Sequence, residues 1–178
     1  MSIKEVDQLL LRFVSAVDLF RKIDLDDVAA LLRQSTRLDF ESGEQVFGEG
    51  DDGHSMYIVT RGAFEVYRHV DGKHVYIASI DPGEHFGEIA LLVNRPRSAS
   101  VRAIQSSSVL RLSKQAIMSE HRAAALLFRN MAQMMAQRLV SVDNEVILHK
   151  TGKYPAFQPE QKAAPSPTTQ DEYVVIRR

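Results

Sequence analysis

The stretch MYIVTRGAFEVYRHVDGKHVYIASIDPG, residues 56–83, decides the class of fold. Met56 to Val59, Ala63 to Tyr67 and Val75 to Ile80 are short runs rich in residues that suit strands, and turn residues separate them. Asp71-Gly72 stands between the last two runs and is a good hairpin turn, because both residues tolerate the positive φ that a two-residue turn needs. Outward from this stretch the texture holds from Thr36 to Leu112. Val109 to Leu112 is a further strand-like run, and glycines recur at 43, 48, 50, 53, 62, 72, 83 and 87. Many brief strands punctuated in this way imply antiparallel pairing rather than a parallel α/β sheet. The expected fold is mainly β with flanking helices, a compact antiparallel barrel or jelly roll.

Helical periods bracket this region. Val6, Leu9, Leu10, Phe13, Val14, Val17 and Phe20 recur at intervals of three and four, and a second helical signal covers Asp24 to Gln34, with acidic residues at the positive end of its dipole. After Ser113 the period returns, first to Glu120 and then over about Ala123 to His149. The stripe Phe128, Met131, Met135, Leu139, Val142 and Val146 on that long helix suits packing on the roll or a homodimer seam through residues 123–149. Beyond Thr151, four prolines among Gln, Ala, Ser and Thr predict a flexible tail, whose last six residues, Tyr173 to Arg178, are β-prone and could add a strand to a partner's sheet edge. The expected division is a helical segment at 1–35, the roll with its helices at 36–150, and the tail at 151–178.

Bulk composition narrows the function classes. A chain of 178 residues, 44% apolar and 25% charged, has the size of one globular domain with an appendage. Its net charge of -1, with both signs interspersed, leaves no electrostatic footprint for DNA, RNA or an anionic membrane. Without cysteine there is no disulfide, thiolate nucleophile or thiolate metal site. The amino terminus lacks a signal-peptide pattern, and no apolar run approaches the roughly 20 residues that span a bilayer. A soluble, cytoplasmic protein is expected, without direct nucleic-acid contact or membrane insertion.

The chemistry concentrates in Phe86-Gly87-Glu88-Ile89-Ala90-Leu91-Leu92-Val93-Asn94-Arg95-Pro96-Arg97-Ser98-Ala99-Ser100-Val101. Gly87 permits close backbone approach, and the Glu-Ile-Ala-Leu-Leu run that follows can form one helical turn whose free N–H groups point at an anion. Arg97 can fork onto a phosphate oxygen. A carboxylate beside a phosphate makes sense only if it binds something else, and Glu88 can accept a hydrogen bond from a sugar hydroxyl. The segment therefore specifies a ribose phosphate better than free phosphate.

These residues resemble the phosphate-binding cassette of the cyclic-nucleotide-binding family. The likeness rests on Phe86 to Leu92 followed by Pro96-Arg97-Ser98-Ala99, and it extends over about residues 15–148 through Leu38 to Glu44 and Met56 to Gly62. The resemblance implies a cyclic-nucleotide-binding β-roll with cAMP as its ligand, cGMP being the alternative, and no metal. It implies that Glu88 holds the ribose 2′-hydroxyl, that amides near Ile89 and Ala90 and the Arg97 guanidinium hold the cyclic phosphate, and that Ser98 adds a hydroxyl. Ile77 and Ala78 would line the purine pocket. Where relatives of the catabolite-activator type reach the base with hydroxyl side chains, this chain carries Val142 and Asp143, which leaves the purine lid, and with it the choice of base, open.

Other readings have less behind them. The methionines at 131, 134 and 135 suit adaptable packing. The six histidines are scattered, and Pro82-Gly83-Glu84-His85 lacks the His-x-His partner that a cupin metal site needs. No nucleophile with its base, acid pair or P-loop is present, so no enzyme is expected. The expected function is a stand-alone sensor whose long helix or tail regulates a partner protein. Its rivals are a nucleotide-free interaction scaffold and a transcription regulator of the catabolite-activator type. Against the latter, the Pro-rich residues 151–178 are too few for a three-helix DNA reader.

Overall fold

A computed structural model of the chain describes residues 17–152. In chain order its strands are β1 (Thr36–Phe40), β2 (Gln45–Phe47), β3 (Ser55–Arg61), β4 (Phe64–Val70), β5 (Lys73–Ile80), β6 (His85–Phe86), β7 (Ser100–Ala103) and β8 (Ser107–Ser113). A 3-10 turn, Asp18–Phe20, and the helix α1 (Leu25–Arg33) precede them, while α2 (Glu88–Val93) lies between β6 and β7. The helices α3 (Lys114–Ser119) and α4 (His121–Thr151) follow. The strands form two antiparallel sheets, ordered β1-β8-β3-β6 and β2-β7-β4-β5. This is the expected roll.

Strand β3 shows how the roll is built. Successive side chains of a strand point to opposite faces, and here both faces are covered. Met56 and Ile58 enter a cluster with Leu19, Leu31, Leu112 and Leu127, whereas Tyr57 and Val59 enter the inter-sheet cluster with Phe64, Phe86 and Val109. Each fully buried side chain of this size contributes roughly 1.5–3 kcal/mol. Between β4 and β5, Asp71 and Gly72 have φ of 51° and 73°, and Val70 pairs with Lys73, so the two-residue turn stands where the sequence places it. The hairpin is irregular at one point. Val66 pairs with Ala78 but Tyr67 pairs with Tyr76, which leaves Ile77 as the extra residue of a bulge on the edge strand.

The helical flanks follow the sequence in part. Helix α1 falls inside the expected Asp24 to Gln34 and buries Val28 and Leu31. The amphipathic period that begins near residue 4 lies mostly outside the described residues, and where it enters them the backbone is a 3-10 turn that buries Leu19 and Phe20. Ser113 caps α3, its hydroxyl accepting from the Ala116 amide at 3.0 Å.

The chain divides into two compact units, one ending at Gln133 and the other beginning at Met134. In the first, Ala123, Ala124, Leu127 and Met131 of α4 are buried, and Asn130 donates to the carbonyls of Leu19 (2.9 Å) and Arg21 (2.8 Å) at the 3-10 turn. The described residues of the second unit are a single helical stretch. It has no other element of its own to cover the continuing stripe, so Leu139, Val142 and Val146 are exposed. The predicted stripe is thus core at Met131 and surface from Leu139 onward. Tyr173 to Arg178 lie outside the described residues. No helix among the described residues is long and apolar enough to cross a membrane.

Candidate functional site

The segment read as an anion trap is assembled where β6 passes into α2. Strand β6 pairs with β3, Tyr57 opposite Phe86, and delivers the Phe86 ring into the inter-sheet core. Gly87 then turns the chain at φ 80°, and α2 begins at Glu88, whose side chain is buried. The helix ends after Val93 because Asn94 adopts φ 50°, a left-handed conformation that asparagine tolerates. Gly87 is required twice over. Its φ favours glycine, and a Cβ there would stand 2.6 Å from Arg97 Nη1.

Arg97 is the centre of the site, and only 5% of it is exposed. Its Nη1 donates to the Gly87 carbonyl and its Nη2 to the Ser55 carbonyl, both at 2.7 Å. The guanidinium lies 4.1 Å above the Phe47 ring and 5.7 Å from that of Tyr57, while Tyr57 and Phe86 stack at 5.1 Å. An arginine can rest on such an aromatic floor because its plane is weakly hydrated. Burial pushes the guanidinium below its ordinary pKa, against the opposing pull of Tyr57, Glu88 and Asp51. The two carbonyls are neutral, Glu88 and Asp51 offset the cost of burial only in part, and Nε is buried without a hydrogen-bond partner. Chemically this arrangement favours an anion.

The main chain of Arg97 is held as firmly as its side chain. Its amide donates to the Asp51 carbonyl at 2.8 Å, and its carbonyl accepts from Gly50 at 2.9 Å. The amide of Glu49 donates to Ser100 Oγ at 2.9 Å. The loop between β2 and β3 is thereby pinned against the segment that carries the arginine.

The structure brings Phe86, Gly87, Glu88, Ala90 and Arg97 together. Ile89 and Ala99 are half-buried and Ser98 is exposed. Ile77 and Ala78 lie on β5, the former exposed at the bulge and the latter half-buried opposite Val66. Val142 and Asp143 are exposed positions of α4 in the second unit. Sequence reasoning missed Phe47, the Ser55 carbonyl and Gly53, where a Cβ would stand 2.4 Å from Ala90 Cβ. The only signal for Gly53 is the density of glycine in Gly48-Glu49-Gly50-Asp51-Asp52-Gly53, which reads equally as a plain turn. His85 is buried in β6, and among the described residues no three His, Asp or Glu side chains are grouped to hold a metal.

Comparison with known proteins agrees with this geometry. Residues 37–122, which hold nearly all of the two sheets with α2 and α3, match the profile of the cyclic nucleotide-binding domain. Over 131 residues the chain is 32% identical to the cyclic AMP receptor protein of Thermus thermophilus, an alignment covering 73% of this chain and 61% of the relative. Over 107 residues it is 33% identical to a cAMP-dependent protein kinase regulatory subunit of Dictyostelium discoideum, covering 58% of this chain and 33% of that one. The crystal structure of the Thermus thermophilus catabolite activator protein superposes with a TM-score of 0.68 at 31% identity, over 75% of this chain and 63% of the other. The chain thus spans less than two thirds of the length of these relatives. The match to the cyclic nucleotide-binding domain family thus covers residues 37–122, the part of the chain that holds the roll and the segment closing on Arg97.

Proposed function

We propose that the chain captures a 3′,5′-cyclic nucleotide, with cAMP as its ligand, and reports its presence to a partner protein. The observation that carries this reading is the Arg97 guanidinium: 5% exposed, held by two carbonyls, its Nε unpartnered, and Gly87 and Glu88 beside it. A phosphodiester offers the acceptor oxygens that a guanidinium pairs with best. Arg97 and the amides near Ile89 and Ala90 hold the phosphate, Glu88 accepts from the ribose 2′-hydroxyl, and Ser98, being exposed, adds its hydroxyl from the solvent side. Ile77 and Ala78 line the base. The names of the two curated relatives, a cyclic AMP receptor and a cAMP-dependent kinase subunit, favour cAMP over cGMP.

Reporting requires that the nucleotide favour one of two arrangements of the protein, since equal affinity for both shifts nothing. The moving part in this reading is α4, with the corner at α3 as its hinge and its exposed apolar positions from Leu139 onward available to a second copy. Calorimetric titration with cAMP, cGMP and 5′-AMP tests the proposal. The expected result is saturable binding of cAMP, lost in Arg97→Ala and weakened in Glu88→Ala by about 2–5 kcal/mol, the scale for stripping one partner from a buried charged contact. Folded, nucleotide-free protein that binds none of the three would overturn the proposal and leave an interaction scaffold in its place.

A further inference from the structure

Gly53 lies in the loop between β2 and β3, and it is not among the glycines with positive φ. Conformation therefore does not call for glycine here. Space does: a Cβ at this position would stand 2.4 Å from Ala90 Cβ, 3.0 Å from Arg97 Nε and 3.1 Å from Arg97 Cζ. The three atoms it would strike belong to the helix α2 and to the guanidinium, the two parts of the site on opposite sides of the segment 86–97. Neither part can easily yield. Ala90 is 3% exposed, and Arg97 is fixed by two carbonyls and an aromatic floor. The loop cannot swing away either without breaking the reciprocal bonds between Arg97 and both Gly50 and Asp51.

We infer that Gly53 is a positioning residue for the anion site. Its missing side chain lets the loop backbone press between Ala90 and Arg97 Nε, and so sets the spacing between α2 and the guanidinium at which a cyclic phosphodiester is held. The inference rests on the proposed function and adds to it a residue that neither touches the ligand through a side chain nor carries a charge. It also separates two demands for glycine in one site, backbone and volume together at Gly87 and volume alone at Gly53.

The test is a double-substitution cycle read by cAMP calorimetry, with circular dichroism confirming that each protein is folded. Gly53→Ala is expected to weaken cAMP binding roughly tenfold or more, as loss of a preorganised site does. In an Ala90→Gly background, where the closest clash is removed, the same substitution is expected to cost less than about threefold. Equal costs in the two backgrounds, or no cost in either, overturn the inference. Should Gly53→Ala not fold alone, amide hydrogen exchange of the unsubstituted protein decides: cAMP is expected to protect residues 51–54 together with 88–93, and protection of 88–93 without 51–54 overturns the inference while the proposed function stands. Absence of cAMP binding by the unsubstituted protein overturns both.

Discussion

Arg97 combines a planar cation with two carbonyl acceptors 42 and 10 residues away in sequence. A lysine ammonium is a point charge that cannot span Ser55 and Gly87 at once or lie flat on Phe47. Arg97→Lys is therefore expected to lose cAMP binding nearly as fully as Arg97→Ala, and calorimetry on the two variants checks it. On β1, Ser108 of the neighbouring β8 and then Arg37 hold the Asp39 carboxyl below the usual carboxylate range. A carboxylate whose folded pKa lies below its unfolded one adds stability above the unfolded value and loses it as pH falls through the folded one. The stability difference between the protein and its Asp39→Asn variant, present at neutral pH, should close as pH falls through the carboxylate range, which thermal melts across an acid titration would show. An unchanged difference at low pH would contradict the assignment. That Glu88 and Arg97 come together was legible in sequence, because both stand in one short segment that begins at Gly87. The partners of Arg97 were not, since a main-chain carbonyl such as that of Ser55 has no residue-type signature.

Among the elements, the hairpin β4–β5 was the most legible and the shortest strands the least. Asp71-Gly72 announces its turn because few residues accept φ of 51° and 73° in succession. Gly72→Val forces a β-branched residue into that geometry and is expected to cost roughly 1–2 kcal/mol in urea denaturation, the scale of the left-handed penalty. The strands β2 and β6, of three and two residues, have too little length for a period to register. They exist because neighbouring strands recruit them, as Tyr57 recruits Phe86. The bulge at Ile77 is likewise unreadable, because Val75 to Ile80 looks like an unbroken strand run. In α4 the apolar period extends from Phe128 to Val146 although burial ends earlier. Periodicity reports that a face wants cover, not what covers it.

For the whole molecule, that uncovered face is a statement about assembly. Leu139 is 62% exposed and Val142 54%, far more than helix residues of this kind show when packed. If a second copy covers them, sedimentation equilibrium of the full chain should give a dimer, and Leu139→Glu should give a monomer that still binds cAMP. A monomer before substitution would remove the seam. The antiparallel all-β character of the middle of the chain was readable from strand density and turn chemistry, whereas the division at Gln133 was not, because one helix runs through it.

The aromatic floor beneath Arg97 has one more consequence, which concerns ionic strength. Arg97 is almost wholly buried, with Phe47 beneath it and Gly53 beside it, and buried charges are screened far less than exposed ones. Capture of the nucleotide should therefore vary little between dilute buffer and physiological salt, where a surface arginine at the same spacing would lose much of its hold. Under the proposed function, such a site would answer to the concentration of its ligand and not to the salinity of its surroundings.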